Sequence, residues 1–432
     1  MIPTLLFVAF VVMMLMGVPI GAALGLAGAA CIALANSDAQ WFGLLAVPQN
    51  FYAGLGKYPL LAIPMFVLVG SIFDRSGVAL RLVNFAVAIV GRGPGMLPLV
   101  AIVVAMFLGG ISGSGPANAA AVGAVMIAAM SRAGYPAPFS ASVVGAAAAT
   151  DILIPPSVAF IVYSVLVPGA SVPALFAAGM IPGILAGVAL IVPAVWMARK
   201  HKMGALEATM PRPPFWKSLR EATWGLAAPV LILGGMRAGW FTPTEAAVVA
   251  VFYGLFVGMV VHRTIQVRDL FAILREAGEL SAVILVVVSL AGIFAFSLST
   301  LGVIDPITRA IVQSGLSEQG VLGALIVVLL VAGMFLDGIS IFLIFVPLLM
   351  PIMQHYQWDV VWFGVVLTLT VAIGQFTPPM AVNLMVSSKI AGVRMEQTTR
   401  WVVWLVLAMT LAMLLVVVFP QIALWLPQRL GY

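Results

Sequence analysis

A short run of helix-breaking residues inside a long apolar stretch constrains the fold of this chain most strongly. Residues 109–118 read GGISGSGPAN, and the arms on either side, 96–108 and 119–130, are apolar and uncharged. Because lipid offers no hydrogen-bond partners, interrupted backbone at membrane depth must pack inside protein or line a wet cavity. Each arm is shorter than the ~20 residues that a membrane-spanning helix needs. The pattern predicts a re-entrant hairpin over 96–132 with its tip near the bilayer midplane, a placement typical of substrate or ion sites.

The composition indicates the class of protein. Hydrophobic residues make up 63% of the 432 residues, charged residues make up 8%, and the mean hydropathy is +1.19. These values exclude a soluble domain or a disordered chain and predict an all-α polytopic membrane protein. The net charge of +6 comes from basic residues in short loops, where the positive-inside rule places them, so nucleic-acid binding is not expected. The first apolar run lacks a basic leader region, which favours an integral first helix over a cleaved signal peptide.

The first half of the chain alternates apolar runs with breaks. The first run, 3–16, breaks at Gly17-Val18-Pro19 and resumes over 20–35, which fits either two short spans joined by a tight turn or one kinked helix. Residues 36–57 are interpreted as a polar or interfacial connection. The other predicted segments are a span at 58–73, an amphipathic piece at 78–90, the hairpin at 96–132, a helix at 136–168 broken at Ile154-Pro155-Pro156-Ser157, and a span at 173–198.

A polar stretch separates the halves, 1–198 and 223–432. Residues 199–222 hold six Lys or Arg against two Glu, which predicts a cytoplasmic linker. The predicted segments after it are spans at 224–236 and 243–261, an amphipathic stretch at 263–276, a span at 280–299, a short piece at 304–312, a second hairpin at 321–354, a helix at 360–390 broken at Gln375-Phe376-Thr377-Pro378-Pro379, and a last span at 400–419.

The two halves match when the chain is shifted by 223 residues. The shift superposes Gly115 on Gly338 and Pro155-Pro156 on Pro378-Pro379 without a gap. We therefore predict an internal duplication in which each repeat has about five transmembrane helices and one re-entrant hairpin. An odd number of crossings gives the repeats inverted topology. With the linker in the cytoplasm, ten basic residues fall inside and four outside, and both termini lie outside.

Interrupted helices direct opposite partial charges at the predicted centre of the fold. Half-helices that begin after the hairpin tips and proline pairs offer free N–H groups, which suit an anion such as a carboxylate. Half-helices that end there leave unpaired carbonyl oxygens, which suit sodium. Sodium coordination by backbone or side-chain oxygens is predicted near Gly110, Gly113, Asp151, Ile154, Gly338, Gly374 and Thr377. Adjacent anion and sodium sites are typical of a symporter, so Na⁺ is expected as the coupling ion and no other cofactor is expected.

Polar side chains inside the apolar segments are few. The two acids there are Asp151 and Asp337, and an unpaired charge at that depth costs at least about 3 kcal/mol. Asp337 is interpreted as facing the cavity, with a plain helix cap as the alternative. Asp151 is interpreted as a sodium ligand or proton carrier, or as an acceptor of backbone N–H groups. The predicted substrate-binding residues, each of which has satisfaction of freed backbone groups as its alternative role, are Ser112, Ser114, Asn118, Ser157, Asp337, Ser340 and Asn383.

The sequence lacks the features of a membrane-bound enzyme. It contains no GxxxxGK[ST] motif, so ATP hydrolysis is not expected. No nucleophile, base and orienting acid are predicted to stand together at membrane depth. Thr242-Pro243-Thr244-Glu245 is interpreted as a helix capping box and not as a site.

Several motifs resemble one family of membrane proteins. GGISGSGPANAAAVGAVMI, ILIPPSVAFIVY, GMFLDGISIFLIFVPLLMPI and GQFTPPMAVNLMVSS look like the large membrane subunit of tripartite ATP-independent periplasmic (TRAP) transporters, the DctM-like family. The resemblance covers essentially the whole chain. It assigns Ser112, Ser114, Asn118 and Asp337 to the transport core. Asp151 departs from the family pattern, which usually has a small residue such as glycine there.

The resemblance implies a sodium-driven uptake system of elevator type in the bacterial inner membrane. A soluble periplasmic binding protein would deliver a carboxylate, such as a C4-dicarboxylate or an acidic sugar. A separate small four-helix membrane subunit is also implied. Two alternatives stay open: a single-component sodium/carboxylate symporter and a non-transporting membrane scaffold.

Overall fold

Helices account for all regular structure in the described part of the protein. A computed structural model describes residues 2–35, 40–90, 93–209, 212–313 and 315–432. The six helical segments there that are long and apolar enough to cross a membrane are Tyr58–Arg75, Val172–Lys200, Pro243–Val261, Val267–Thr300, Gly338–His355 and Met395–Val418. The protein is therefore a multi-pass membrane protein, as the composition predicts.

The first half of the chain contains the helices α1 (Ile2–Leu15), α2 (Ile20–Ala35), α3 (Gln40–Leu55), α4 (Ala62–Arg75), α5 (Val78–Val90), α6 (Met96–Ser112), α7 (Gly115–Arg132), α8 (Ala137–Ala148), α9 (Val158–Leu166) and α10 (Val172–Lys200). A 3₁₀ turn, Tyr58–Leu61, precedes α4. We call the α6–α7 pair hairpin one. The first apolar run forms two helices that pack against each other, so the kinked single helix is excluded.

The second half contains α11 (Phe215–Arg237), α12 (Pro243–Leu255), α13 (Val267–Thr300), α14 (Ile304–Val312), α15 (Glu318–Gly333), α16 (Gly338–His355), α17 (Val360–Gly374), α18 (Val382–Ala391), α19 (Thr399–Val418) and α20 (Gln421–Leu430). We call the α15–α16 pair hairpin two. A π-helical turn, Phe256–Val261, extends α12, and 3₁₀ turns occur at Glu207–Thr209 and Met395–Thr398. The predicted capping box at the start of α12 is confirmed, since the Glu245 amide donates to the Thr242 hydroxyl and the Glu245 carboxylate accepts from the Thr242 amide.

Within the predicted polar or interfacial connection at 36–57, the residues Gln40–Leu55 form a helix that the sequence pattern did not indicate. Residues 36–39 lie outside the described residues. Tertiary packing stabilises this helix despite Pro48 in its middle. A Cβ atom at Gly54 would lie 3.1 Å from the Cα of Ser289, so α3 crosses close to α13. Local propensity alone does not report such a contact.

The helices next to the predicted linker are longer than expected. α10 ends at Lys200 and α11 begins at Phe215, so residues 215–222 of the predicted linker form the first turns of a helix. Ser218 and Ala222 are buried on one face, while Lys217 and Arg220 point outward. Likewise, 263–276 and 280–299 were predicted as separate segments, but α13 is one helix of 34 residues. At about 1.5 Å per residue it exceeds the bilayer core, so its charged first turns extend beyond the apolar layer.

The two halves pack through reciprocal contacts. α7 and α8 of the first half pack on α18 of the second, and α9 of the first half packs on α16 of the second. A Cβ atom at Gly145 would lie 3.0 Å from the Cα of Leu384, which measures how closely α8 and α18 cross. Tyr163 and Phe342 form an edge-to-face ring pair, 6.2 Å between centroids, where α9 meets α16. This packing brings the ends of interrupted helices from both halves together.

The linker holds the end of hairpin one that lies away from its tip. The buried Glu207 carboxylate accepts hydrogen bonds from the Leu97 amide at 2.9 Å and from the Tyr135 hydroxyl at 2.5 Å. The Tyr135 hydroxyl in turn accepts from the Gly95 amide at 2.7 Å. These bonds tie the start of α6 and the segment after α7 to one side chain. Burial is the main cause that raises the pKa of Glu207 above its usual 4.5.

We expect Glu207→Gln to remove part of the pH dependence of stability. The pKa is higher in the folded protein than in the unfolded chain, so protonation favours folding. The contribution of Glu207 is therefore fully present below a pH of 4.5, its ordinary pKa, and is lost as the pH rises through the raised pKa. As the pH rises through that window, the free energy of unfolding should fall more for wild type than for E207Q. Thermal unfolding in detergent from acidic to neutral pH measures this difference. The exposed Glu396→Gln is the control, and a profile for E207Q that matches wild type would contradict the prediction.

Candidate functional site

A cavity of about 270 Å³ lies where the chain breaks of both halves meet. Its polar lining includes Ser114 at the tip of hairpin one, Asp337 and Ser340 at the tip of hairpin two, and Gln375 at the end of α17. Apolar side chains of α4, α9 and α13 complete the wall. The volume is slightly below the ~300–1,000 Å³ typical of small-molecule pockets.

Backbone geometry brings the tip of hairpin one to the proline break of its own half. Gly113 ends α6 in the left-handed region with φ +62°, where glycine carries no steric penalty. A Cβ atom there would lie 2.7 Å from the carbonyl oxygen of Pro156. α7 then begins after Ser114, whose side chain makes no capping hydrogen bond. The first N–H groups of α7 therefore have no side-chain cap at the cavity.

Asp337 both caps a helix and lines the cavity. Its Oδ2 accepts hydrogen bonds from the Ile339 amide at 3.1 Å and the Ser340 amide at 3.2 Å, and its Oδ1 accepts from the Ser340 hydroxyl. The residue is nevertheless exposed and faces the cavity. The two roles that the sequence offered as alternatives are thus compatible, because an N-cap carboxylate keeps lone pairs that the helix does not use.

Gln375 contacts the tips of both hairpins, and the sequence prediction missed it as a site residue. A Cβ atom at Gly115 of hairpin one would lie 2.9 Å from the Gln375 Oε1, and one at Gly338 of hairpin two would lie 3.1 Å from its Nε2. The buried Asn383 donates from Nδ2 to the same Oε1 at 3.2 Å. The available signal was a polar residue at a helix end, two positions before Thr377-Pro378-Pro379.

Removing the Gln375 amide should destabilise the packing between the hairpin tips. We expect Gln375→Leu to lower the free energy of unfolding by about 1–3 kcal/mol, because the buried Asn383 Nδ2 loses its acceptor. The double variant Gln375→Leu with Asn383→Leu should cost less than the sum of the single changes, since both partners are then removed together. Denaturant unfolding in detergent measures the free energies of the wild type, the two single variants and the double variant. If the double variant lost as much free energy of unfolding as the two single variants together, the Gln375–Asn383 hydrogen bond would be contradicted.

Ser112 and Asp151 meet behind the cavity wall. The Ser112 hydroxyl donates to Asp151 Oδ2 at 3.1 Å, and both side chains are buried. Ser112 lies in the last turn of α6, and Asp151 lies just after α8. The pair therefore joins hairpin one to the break between α8 and α9.

Other predicted site residues are not among those that line the cavity, and their side chains largely contact backbone. Ser157 caps α9 through the Phe160 amide at 3.4 Å and donates to the Ile152 carbonyl at 2.6 Å. The Thr377 hydroxyl donates to the Ile373 carbonyl at 2.6 Å, and Asn118 Nδ2 donates to the Ala105 carbonyl at 2.9 Å. The buried Oδ1 atoms of Asn118 and Asn383 have no hydrogen-bond partner among the described residues.

The predicted cation positions pack at close helix crossings. A Cβ atom at Gly374 would lie 2.6 Å from the Gly333 backbone, where α17 meets α15. A Cβ atom at Gly110 would lie 3.3 Å from the Pro155 carbonyl oxygen and 3.6 Å from the Ile154 side chain. Hairpin one and hairpin two thus each approach the break of their own half closely.

These features define a polytopic helical membrane protein with a cavity between interrupted helices of its two halves, in which a few polar residues stand in a largely apolar wall. The family model described as tripartite ATP-independent periplasmic transporter, DctM component, matches residues 7–422. The chain belongs to this family of transporter permeases.

Named relatives resemble the chain over nearly its full length. The C4-dicarboxylate TRAP transporter large permease protein DctM of Pseudomonas aeruginosa is 37% identical over 94% of this chain and 94% of its own length. The sialic acid TRAP transporter large permease protein SiaM of Vibrio cholerae is 34% identical over 96% of each. The isethionate TRAP transporter permease protein DctMQ of Oleidesulfovibrio alaskensis is 36% identical over 97% of this chain, which spans only 65% of that relative.

Proposed function

We propose that the chain carries out sodium-coupled secondary uptake of an organic acid, such as a C4-dicarboxylate or an acidic sugar, delivered by a periplasmic binding protein. The observation that carries this proposal is the cavity, which the tips of both hairpins and residues beside both chain breaks line together. The named relatives act on C4-dicarboxylates, sialic acid and isethionate according to their names. All three are acidic solutes, which supports an anionic substrate.

The N-terminus of α7 is proposed to hold the substrate's negative group. Its first N–H groups have no side-chain cap, and Ser114, Gly115 and Pro116 line the cavity. α9 and α16 also begin near the cavity, but Ser157 and Asp337 cap them, whereas α18 begins at the cavity at Val382 and, like α7, has no side-chain cap. Free N–H groups and the helix dipole favour an anion at the uncapped end. Ser112, Ser114, Asn118, Ser340 and Asn383 are proposed to provide polar contacts around it.

Sodium ions would balance the negative groups at the cavity. Asp337 adds a carboxylate beside the proposed anion position. A cation held by oxygens near Gly338, Gly374 and Thr377 would offset that charge and so couple sodium binding to substrate binding. A second position is proposed near Gly110, Gly113 and Ile154. Helix C-terminal carbonyl groups are suited to both positions.

The reciprocal packing supports inverted repeats and movement as one body. The contact of α7 with α18 and that of α16 with α9 correspond to each other under the 223-residue shift. We propose that hairpins one and two, with α8, α9, α17 and α18, form the transport core. This core would move against α4, α13 and the remaining helices in an elevator mechanism, in the bacterial inner membrane with both termini on the periplasmic side.

Uptake by proteoliposomes tests the proposed function. The protein would be reconstituted with its small four-helix membrane subunit, a purified binding protein loaded with a labelled organic acid, and a sodium gradient. Uptake is expected only when the gradient and the binding protein are both present. Uptake without any binding protein would identify a single-component symporter, and no uptake of any tested acid would favour a non-transporting scaffold.

A further inference from the structure

The cavity between the hairpin tips has little capacity to bind negative charge. Among the described residues that line it, Asp337 is the one charged side chain, and none is a lysine, arginine or histidine. A bound anion therefore depends on the partial charges of helix N-termini and on any cation that enters with it. A negative group placed beside Asp337 is also repelled by its carboxylate.

The two helices that begin at the cavity without a side-chain cap, α7 and α18, start close to each other. A Cβ atom at Gly115, the first residue of α7, would lie 2.8 Å from the Asn383 side chain near the start of α18. Each helix N-terminus carries roughly half an elementary positive charge, so the pair balances about one negative group. Because the two starts adjoin, they do not suit two carboxylates at opposite ends of a ligand.

The free backbone amides at the start of α7 also suit one carboxylate. Pro116 has no N–H, and the Asn118 amide donates to the Ser114 carbonyl at 3.0 Å. The Gly115 and Ala117 amides have no acceptor among the described residues. Two amides can bond the two oxygens of a single carboxylate.

Most of the remaining lining is apolar. It includes Val67 of α4 and Leu280, Val283, Ile284 and Val287 of α13. Burial of an aliphatic group against these side chains is favourable, whereas a second carboxylate there would lose water without gaining a hydrogen-bond partner. The volume of 270 Å³ corresponds to roughly nine water molecules, so the aliphatic group must be short.

We propose that the cavity selects an aliphatic monocarboxylate, an organic acid with one negative group and a short apolar body. Its carboxylate lies at the adjoining starts of α7 and α18, and its apolar body contacts α4 and α13. The inference rests on the proposed function and narrows its substrate class. A dicarboxylate and a large acidic sugar are therefore expected to bind weakly.

The test is ligand-dependent thermal unfolding of the protein with its small membrane subunit, purified in detergent at constant sodium concentration and ionic strength. The ligands are pentanoate, succinate, sialic acid and monomethyl succinate, which is about the size of succinate but has one negative group. We expect half-maximal stabilisation by pentanoate at a concentration at least about tenfold below that of succinate. Monomethyl succinate should lie between them, and sialic acid should not stabilise the protein.

Val283→Arg supplies the positive charge that the apolar wall lacks. Val283 lines the cavity and is 61% exposed, so a longer side chain has room. We expect this variant to bind succinate at least about tenfold more tightly than wild type does. Val267→Arg is the control, because it makes the same change at an exposed position in the first turn of α13, outside the cavity. It should leave the affinity for succinate unchanged.

The comparison of the four acids on wild type needs no variant that folds. Succinate that stabilises wild type as well as pentanoate does, or a preference for sialic acid, would overturn the inference while leaving uptake of an organic acid intact. Wild type that none of the four acids stabilises would also overturn the inference. Uptake by proteoliposomes then decides separately on the proposed function.

Discussion

Replacing Asp337 with asparagine is expected to reduce sodium-driven uptake at least about tenfold while changing the free energy of unfolding by less than about 1 kcal/mol. Asparagine caps helices about as well as aspartate, so the bonds to the Ile339 and Ser340 amides persist. The negative charge in the cavity is lost. Asp337→Ala should remove the cap as well and cost a further ~1 kcal/mol of stability. Proteoliposome uptake and thermal unfolding measure the two effects separately.

The control for Asp337 is a second N-cap aspartate. Asp359 accepts hydrogen bonds from the Val361 and Trp362 amides at the start of α17 and lies outside the cavity. Asp359→Asn makes the same chemical change and should leave uptake unchanged. Full uptake by the Asp337→Asn variant would show that Asp337 has only a structural role, as a helix cap.

Replacing Gly374 with alanine is expected to cost about 3 kcal/mol or more of unfolding free energy. The new Cβ would lie 2.6 Å from the Gly333 backbone, and no side-chain rotation relieves a contact with backbone. α15 and α17 would have to separate, which would displace the hairpin-two tip and Gln375. Thermal unfolding in detergent measures the loss of stability.

A glycine on α15, the helix that Gly374 packs against, provides the matched control. Gly323 of α15 is exposed, and a Cβ atom there would meet nothing within 4 Å. Gly323→Ala should be neutral or stabilising by up to about 1 kcal/mol, because alanine favours helix. A Gly374→Ala protein as stable as wild type would show that the close crossing is not required.

Sequence patterns predicted elements well where breaks in hydrophobicity coincide with ends of helices. The predicted pieces at 78–90 and 304–312 match α5 and α14 residue for residue. The pattern failed where tertiary contacts decide, as in α3, whose Gly54 packs against α13, and in the continuous α13. α20 was missed because only Ala423 and Pro427 in it are buried and its sequence is mixed.

The candidate site was predictable in location more than in detail. Helix breakers inside apolar runs indicated which segments would meet, and some of the residues near those breaks, such as Ser114, Asp337 and Ser340, line the cavity. Contacts between the halves were not readable from one sequence. Gln375 is an example, because its significance comes largely from its contact with Gly115 of the other half, in addition to those with Gly338 and Asn383 of its own half.

Cross-linking between the two hairpin tips tests most directly the claim that breaks from both halves enclose one cavity. Ser114 and Ile339 line the cavity from hairpins one and two and are partly exposed, and Cys31→Ala removes the native cysteine. With Ser114→Cys and Ile339→Cys in that background, a short bifunctional thiol reagent should join the tips in membranes and block uptake. Ser114→Cys with Ser317→Cys, at the far end of hairpin two, should not cross-link. Two tip cysteines that are each labelled by monofunctional reagent but never joined would contradict the shared cavity.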